Sequence, residues 1–555
     1  MLKNKEKYII AGLLIFLGAA ALIWIRSYLF DNIGASIDKR IQSLNLAGFN
    51  VRYDSLSINW LRNSIEIDNL LLEKNAYDTT CLHPEFIAIG KVRGDGVGLL
   101  KLIFQNVLSL ENLYLNEPRI VMRQHSLLRL DSATQRENEF SLRIERVYIR
   151  GADFNYTDSI RCDIITALRS NLTLSELEMD FHPDQPFRYA IKEFTLDSVD
   201  IEMPAESYSL KILRAKMDLA TNGFVADSIR VIPALGKLEF GRKYGFETDR
   251  YEATIPFLKA RDLTFSIEDS TLVKATVAEI QFYLKVFRDK RLRFLKKKKL
   301  LPIAQLRDLP FDVQIDSLKI IKSYVQYEEY AEGATEPGII FFDNLYGYLQ
   351  NIDSRSRAGK TELRAEGNLL GHGNLQLFVT FPHEINKRSS LRGTIKNFRI
   401  PEINSMLTPT TQIKVESGNM KNLSFAFTFN SLRADGEIEL NYEDLKLVTF
   451  KHDEKATGDE PEKDNLRTFI MNTFIFRKNM NEDVPQDKRT GTVMYLRDDE
   501  RSIFNFWVKS LVSGIKSAYH LDKTEAKKTE RELKKEERLS KREARRQKRE
   551  QKKGE

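Results

Sequence analysis

Apolar and polar residues alternate along most of the chain, which is the period of a β-strand with one buried face. The alternation begins at Phe49, and a turn near Arg62-Asn63 separates the first two predicted strands. β-Branched and aromatic residues dominate these stretches, and turn residues follow at short intervals, so the sequence predicts a mainly β fold. The apolar positions of the clearest strands are Val51, Tyr53, Leu56, Ile58, Trp60, Ile65, Ile67, Leu70, Leu72, Leu142, Ile144, Val147, Ile149, Phe154 and Tyr156.

A short pattern recurs in these strands: Asp-Ser, an apolar residue, any residue and a second apolar residue. Its copies begin at Asp54, Asp197, Asp227 and Asp316. Asp and Ser side chains bond nearby backbone amides, so each copy is predicted to open an alternating strand after a bend. Repeated units predict a sheet that grows in one direction with a continuous apolar face, which becomes a hydrophobic trough if no second layer covers it. Coincidence in a strand-rich chain is the alternative interpretation.

Near the N-terminus, residues 8–25 form an unbroken run of 18 apolar or small residues. A helix of this length rises about 27 Å, close to the thickness of bilayer hydrocarbon, and predicts a transmembrane anchor. A cleaved signal peptide is the alternative, but the small residues Ala19, Ala20 and Ala21 lie inside the run, whereas a cleavage site follows it. The predicted anchor residues include Tyr8, Ile15, Phe16, Trp24 and Ile25.

The residues around the run predict its orientation. Lys3, Lys5 and Lys7 precede it and favour a cytoplasmic N-terminus with the body translocated. No second apolar run of this length occurs, so the anchor is predicted to cross the membrane once. An amphipathic helix is predicted to follow, because apolar residues recur there at spacings of three and four: Leu29, Ile33, Ile37, Ile41 and Leu44.

The net charge of +7 belongs to the C-terminal tail alone. Residues 523–555 carry 15 Lys and Arg against 8 Asp and Glu, and the rest of the chain carries 71 of each sign. The body is therefore not predicted to bind nucleic acid. The tail is interpreted as a flexible charged extension, with contact to an anionic membrane or polymer as the alternative.

Catalytic motifs are missing from the sequence. Seven histidines are scattered without a zinc-protease spacing, and two glycine-rich stretches, at residues 94–98 and 371–373, are interpreted as bends or turns. We expect no enzyme activity, no cofactor and no metal site. Cys81 and Cys162 are either two ordinary thiols or a single disulfide.

Two segments are candidates for membrane contact. Residues 285–299 contain nine Lys and Arg against one Asp, with apolar residues between them. Such a segment is either a solvated loop or helix rim, or it contacts anionic lipid headgroups. Residues 501–522 form an amphipathic helix that either caps the open end of the sheet or lies on a membrane or partner. Its predicted apolar face comprises Ile503, Phe504, Trp507, Val508, Leu511, Val512, Ile515 and Tyr519. The residues singled out for membrane contact are Lys296, Lys297, Lys298, Lys299, Phe504, Trp507 and Leu511.

The predicted organisation runs in chain order. It comprises a cytoplasmic N-terminus (1–7), a transmembrane anchor (8–25), an amphipathic helix (26–47), a β-domain (48–500), a second amphipathic helix (501–522) and a basic charged tail (523–555).

With these elements in place, the chain resembles AsmA-like proteins of the AsmA/TamB group, in the style of Bacteroidota members, within the chorein-type bridge-like lipid-transfer superfamily. The resemblance covers roughly residues 1–520 and is loosest in the middle. Beside the anchor, it rests on residues 51–60, 65–72, 98–103, 108–115, 117–122, 391–395, 403–407, 413–418, 425–429, 434–436 and 442–446.

The resemblance implies a long, curled, taco-like sheet with an apolar inner groove. It implies an anchor in a bacterial inner membrane, a periplasmic body and transport of phospholipid or another acyl-chain lipid between envelope membranes, in support of outer-membrane integrity. It also permits a structural or assembly factor without lipid, acting in outer-membrane protein assembly with an envelope protein partner.

Overall fold

A computed structural model describes residues 49–59, 62–74, 86–98, 101, 105, 107–123, 140–157, 164–181, 188–204, 206–266, 272–309, 311–384, 387–411, 413–450, 478–480 and 489–519. Strands make up 67% and helices 12%, which confirms the prediction of a mainly β fold. The predicted anchor at 8–25, the amphipathic segment at 26–47, the tail at 523–555 and both cysteines lie outside these residues. Within the described ranges, no helix has the length and apolarity needed to span a bilayer.

The chain divides into two compact units, Met1–Thr221 and Asn222–Glu555. Unit 1 contains a mixed sheet in which β7 is parallel to β5 and β6 and the other pairings described are antiparallel. Its strands are β1 (Phe49–Arg52), β2 (Ser55–Asn59), β3 (Ser64–Lys74), β4 (Phe86–Asp95), β5 (Val107–Asn116), β6 (Arg119–Arg123), β7 (Phe140–Thr157), β8 (Ile164–Phe181), β9 (Arg188–Ala190), β10 (Glu193–Met203) and β11 (Tyr208–Asp218).

Unit 2 also contains a mixed sheet, in which only β15 and β16 are a parallel pair among the pairings described. From β15 onward, each strand pairs with the next in the chain. Its strands are β12 (Gly223–Pro233), β13 (Arg250–Arg261), β14 (Thr264–Ser266), β15 (Leu272–Asp289), β16 (Asp312–Tyr330), β17 (Gly338–Asp353), β18 (Lys360–Leu369), β19 (Gly373–Pro382), β20 (Ser389–Arg399), β21 (Ile413–Phe429), β22 (Arg433–Thr449) and β23 (Thr490–Leu496).

Helices in unit 2 connect or cover these strands. They are α1 (Lys237–Tyr244), α2 (Pro302–Arg307), α3 (Asn404–Thr411), which follows a 3₁₀ turn at Ile400–Ile403, and α4 (Ile503–Ala518). A parallel pair of strands requires a connection that returns to the starting end of the sheet. Residues 290–309, hereafter the crossover segment, make that return between β15 and β16 and contain α2.

The turn predicted near Arg62-Asn63 is confirmed, since β2 ends at Asn59 and β3 begins at Ser64. The two glycine-rich stretches are also bends: Gly96 and Gly371 have positive φ angles of 71° and 78°. The apolar stretches at 142–149 and 154–156 were interpreted as a pair of strands, but the structure has one long strand there. β7 runs through both apolar stretches that were predicted as separate strands, with Gly151 in the left-handed region at φ 63° between them.

The Asp-Ser pattern opens a strand in only one of its four copies. β2 begins at Ser55, but the other copies lie inside β10, β12 and β16, so the prediction was wrong for these three. At Asp197 the pairing with β8 shifts register, Ser228 has a positive φ of 52°, and Asp316 lies opposite Asn351, whose φ is 56°. At such an irregular residue the strand departs from strict alternation of its side chains. The two adjacent polar residues of the pattern compensate for this shift, so the apolar residues before and after it lie on the same face of the sheet.

The irregular positions of neighbouring strands are bonded to one another in unit 1. The backbone amide of Gly151 donates to Asn171 Oδ1 at 2.7 Å, and Asn171 Nδ2 donates to Ser198 Oγ at 3.1 Å. These bonds join β7, β8 and β10 across the sheet at one level. The bulges therefore line up, and the apolar residues on both sides of the line keep a common face.

Candidate functional site

The principal candidate site is the apolar face of the unit 2 sheet. Directly paired residues on neighbouring strands form an uninterrupted apolar row across ten strands. Its members, from β13 to β23, are Ala260, Ala278, Leu318, Leu349, Leu363, Val379, Leu391, Phe427, Gly436 and Val493. A second such row, one pleat away, runs through Leu258, Ile280, Ile320, Gly347, Ala365, Leu377, Gly393, Phe425 and Ile438.

The alternate positions of the same strands form a polar face. Glu362, Thr380, Ser390, Thr428 and Asp435 are paired from β18 to β22. The prediction of one apolar and one polar face is therefore confirmed for this part of the sheet.

Unit 1 has an apolar face of the same kind. Paired residues from β5, β7, β8, β10 and β11 form two apolar rows there, and Val147 and Met217 are 2% and 1% exposed. The first row is Leu113, Val147, Leu174, Phe194 and Met217, and the second is Leu115, Ile149, Leu172, Leu196 and Ala215. Between these rows lies a polar-face row in which Tyr114 and Tyr148 stack with ring centroids 5.1 Å apart.

The apolar face of unit 2 changes along its length. Leu318, Leu349 and Leu363 are half-buried. Farther along the same row, Leu391 and Val493 are 2% and 1% exposed. The difference arises because α4 and part of the crossover segment pack against the cluster formed by β19 to β23. The apolar face is thus covered at its β23 end and more open between β13 and β18.

The covering helix contacts the sheet through one phenylalanine and three small residues. Phe506, Ser510, Gly514 and Ala518 recur every fourth residue and are the buried positions of α4. A Cβ atom at Gly491 of β23 would lie 2.0 Å from the carbonyl oxygen of Gly514, so the helix and strand backbones approach closely. The predicted apolar face is rotated by this contact, and Val508 and Val512 are 38% and 37% exposed.

Helix α4 also closes the free edge of the last strand. Ser513 Oγ donates to the carbonyl oxygen of Met494 at 2.9 Å and accepts from the Met494 amide at 3.3 Å. Ser517 Oγ accepts from the amide of Thr492 at 3.1 Å. An exposed strand edge presents unpaired backbone groups that other chains can bind. The helix therefore caps the sheet, as one of its two predicted roles requires, and its contact with a membrane or partner stays a prediction.

A group of ion pairs holds the crossover segment in place. Asp249, just before β13, accepts from Arg288 at 2.6 Å and from Lys299 at 3.2 Å, and the Arg288 side chain is 7% exposed. Arg501, which precedes α4, pairs with Glu247 at 2.8 Å. Lys299 belongs to the crossover segment, and two backbone bonds complete its attachment: the Glu247 amide donates to the carbonyl oxygen of Arg293 at 2.9 Å, and the Lys299 amide donates to that of Asp499 at 2.7 Å.

The charges in this group shift the pKa values of their neighbours. Burial acts to raise the pKa of Asp249, but the hydrogen bonds and positive charges of Arg288 and Lys299 outweigh it and hold that pKa below its ordinary value. Burial, with the nearby charge of Glu329, raises the pKa of Tyr327 far above its ordinary value. The Tyr327 hydroxyl stays protonated and donates to Glu329 Oε2 at 2.7 Å.

The residues predicted for membrane contact differ in their surroundings in the structure. Lys296, Lys297 and Lys298 are exposed, whereas Lys299 is half-buried and paired with Asp249. The three residues on α4 pack against protein. Phe504 lies 6.2 Å from Phe342, Trp507 lies 6.0 Å from Phe429 between ring centroids, and Leu511 packs against the same cluster. The anchor residues lie outside the described ranges.

Sequence reasoning missed the small-residue face of α4 and the pairing of Asp249 with Arg288. The first had a signal, since Ser510, Gly514 and Ala518 recur at the spacing of one helix face. The second had none, because the partners are far apart in the chain and no local pattern joins them.

Comparison of the chain with protein-family models and with curated proteins finds no match to either.

Proposed function

We propose that the protein is a membrane-anchored periplasmic carrier whose apolar sheet faces bind or conduct phospholipid between envelope membranes. The observation that carries this proposal is the apolar row from β13 to β18, whose large side chains are half-buried while the row beneath α4 is buried. An apolar face of this length is costly to leave in water unless something apolar covers it. The resemblance to AsmA-like proteins supports a lipid in that place.

The proposed mechanism is passive. Acyl chains lie along the apolar rows of a curled sheet, and each buried CH₂ group contributes about 0.8 kcal/mol. The lipid headgroups stay in water, at the open side of the apolar groove. The anchor at residues 8–25 would keep the body at a bacterial inner membrane with its N-terminus in the cytoplasm, and no catalytic step is part of the mechanism.

Two neighbouring residues of β17 provide a matched test. Leu349 lies on the apolar face and Gln350 is exposed on the opposite face. Leu349→Glu and Gln350→Glu change the net charge equally. We expect the full-length wild type and Gln350→Glu, extracted in mild detergent, to retain phospholipid measurable by mass spectrometry, and Leu349→Glu to retain several-fold less. Absence of phospholipid from the wild type would refute the carrier.

A structural or assembly factor of the envelope is the second candidate. The covering of β19 to β23 by α4 favours it, because that part of the face is already filled by protein. A wild-type chain without retained lipid, combined with an envelope defect in Leu349→Glu, would support this role. The partner would then be an envelope protein.

A further inference from the structure

The crossover segment carries a loop tip that is exposed although both of its ends are fixed. On one side, Leu292 packs against Gly241, and the guanidinium carbon of Arg501 lies 3.8 Å from the centroid of the Phe294 ring. On the other side, Lys299 is held by Asp249. The tip between these ends, residues 295–298, therefore projects from a rigid base.

The conformation of the tip keeps its side chains outside. The amide of Lys297 donates to the carbonyl oxygen of Leu295 at 2.9 Å, which closes a tight turn at Lys296. Leu295 and Leu300, which flank the lysines, are each 44% exposed. The Lys298 side chain is 84% exposed and lies 3.4 Å from Asp499. No acidic side chain in the described part of the chain lies within 4.0 Å of the Lys296 or Lys297 ammonium.

We propose that the loop tip, residues 295–298, docks together with Leu300 on the surface of an anionic lipid bilayer. The lysines would lie at the headgroup phosphates, and Leu295 and Leu300 would enter the interface between headgroups and acyl chains. Exposed leucines on both sides of a cationic turn suit a surface that is anionic outside and apolar beneath. A nucleic acid or an acidic protein surface would pair with the lysines but leave both leucines in water.

This docking goes beyond the proposed carrier function, because it requires no lipid on the apolar face. It also reduces the set of residues that the sequence predicts for membrane contact. Lys299 and the α4 residues Phe504, Trp507 and Leu511 have protein partners, which leaves Lys296, Lys297 and Lys298 for the membrane.

A dye on the loop tip tests the docking directly. The full chain carries Cys81→Ser, Cys162→Ser and Leu295→Cys, labelled with an environment-sensitive fluorophore, and is mixed with vesicles of phosphatidylglycerol in phosphatidylcholine. We expect a blue shift of the emission that high salt reverses and that pure phosphatidylcholine vesicles do not produce. The same dye at Leu432, 55% exposed in the turn between β21 and β22, should not shift. Because the dye reports only its own surroundings, membrane binding by another segment does not imitate the result.

A charge-reversal variant provides the second test of the docking. Lys296→Glu, Lys297→Glu and Lys298→Glu together should reduce the ratio of docked to undocked tip on the order of 100-fold, which abolishes the shift. The matched control reverses three exposed lysines that lie on strands outside the basic segment, Lys274, Lys396 and Lys414. It should keep the shift, and circular dichroism should show both triple variants folded. The proposal is overturned if Leu295→Cys gives no shift, if neutral vesicles shift it equally, or if the control loses it equally.

Discussion

Ser513 of α4 forms two hydrogen bonds with one residue of the last strand: its hydroxyl donates to the carbonyl oxygen of Met494 and accepts from the Met494 amide. A helix side chain thus takes the place of a further strand. Ser517 adds a third hydrogen bond to this edge, since its hydroxyl accepts from the Thr492 amide. The polar residues of α4 therefore close the edge of the last strand, while its apolar residues cover the face of the sheet.

Removing these hydroxyls should open the strand edge. In the double variant Ser513→Ala and Ser517→Ala, the backbone groups of Thr492 and Met494 lose their partners, and we expect a loss of about 1–3 kcal/mol of unfolding free energy. The exposed edge should also promote self-association. Denaturant unfolding, sedimentation velocity and hydrogen exchange of the two amides measure these effects.

Val512→Ala is the control for that experiment, because Val512 is 37% exposed on the opposite side of α4. It should leave stability and exchange close to those of the wild type. Equally slow exchange of the Thr492 and Met494 amides in the double variant would contradict the role of the serines.

The close contact between α4 and β23 leads to a second prediction. In Gly491→Ala, the new methyl group would lie 2.0 Å from the carbonyl oxygen of Gly514, so the helix must move away from the strand. We expect a loss of about 1–3 kcal/mol, measured by denaturant unfolding followed through Trp507 fluorescence. Gly90 of β4 has open space around its Cβ position, so Gly90→Ala should not destabilise its strand. A neutral Gly491→Ala would show that helix and strand are farther apart.

The buried ion pair leads to a prediction about pH. In Asp249→Asn, Arg288 loses its counter-charge in a position where its side chain is 7% exposed, and we expect a loss of about 3–5 kcal/mol near neutral pH. The pKa of Asp249 is lowered in the folded protein. Its charge therefore stabilises the fold above the ordinary aspartate pKa of about 3.9 and ceases to do so as the pH falls through the lower folded value.

The difference in unfolding free energy between wild type and Asp249→Asn should accordingly shrink when the pH drops below about 3.9. Denaturant titrations at a series of pH values measure it. Asp499→Asn is the control, since Asp499 pairs with Lys298 at the exposed surface and should change stability little. A difference that stays constant through the acidic range would contradict the assignment.

Local alternation was sufficient to predict much of the fold. The hairpin of β2 and β3 and the presence of one apolar and one polar face follow from the period of two, because side chains on a strand point to opposite sides in turn. Strand lengths were harder to predict. A change in the parity of the apolar residues, as from Leu196 to Val199, signals a bulge inside a strand, and it was interpreted as the opening of a new one.

The candidate site was only partly predictable for a different reason. That Lys296 to Lys298 are exposed while Lys299 is paired depends on Asp249, which a long-range crossover brings beside it. The rotation of α4 depends on Gly491 in another element. Such contacts arise from tertiary packing, which a local pattern of residues does not encode.

Lys322 in β16 offers a test of the bulges themselves. Its φ of 41° lies in the left-handed region, which a lysine adopts at a steric cost, and the pairing of β16 with β17 shifts register beside it. Glycine has no Cβ and adopts this conformation freely.

We therefore expect Lys322→Gly to raise the unfolding free energy by up to about 1 kcal/mol, and Lys322→Val to lower it. The control is Lys319→Gly, three residues earlier in regular strand geometry, where the flexibility of glycine should instead cost about 0.5–1 kcal/mol, with a small further loss from the exposed ion pair with Glu279. Denaturant unfolding of the three variants should thus give opposite signs for the same substitution at two positions of one strand. If both glycine variants were destabilised equally, Lys322 would not occupy a left-handed bulge of β16.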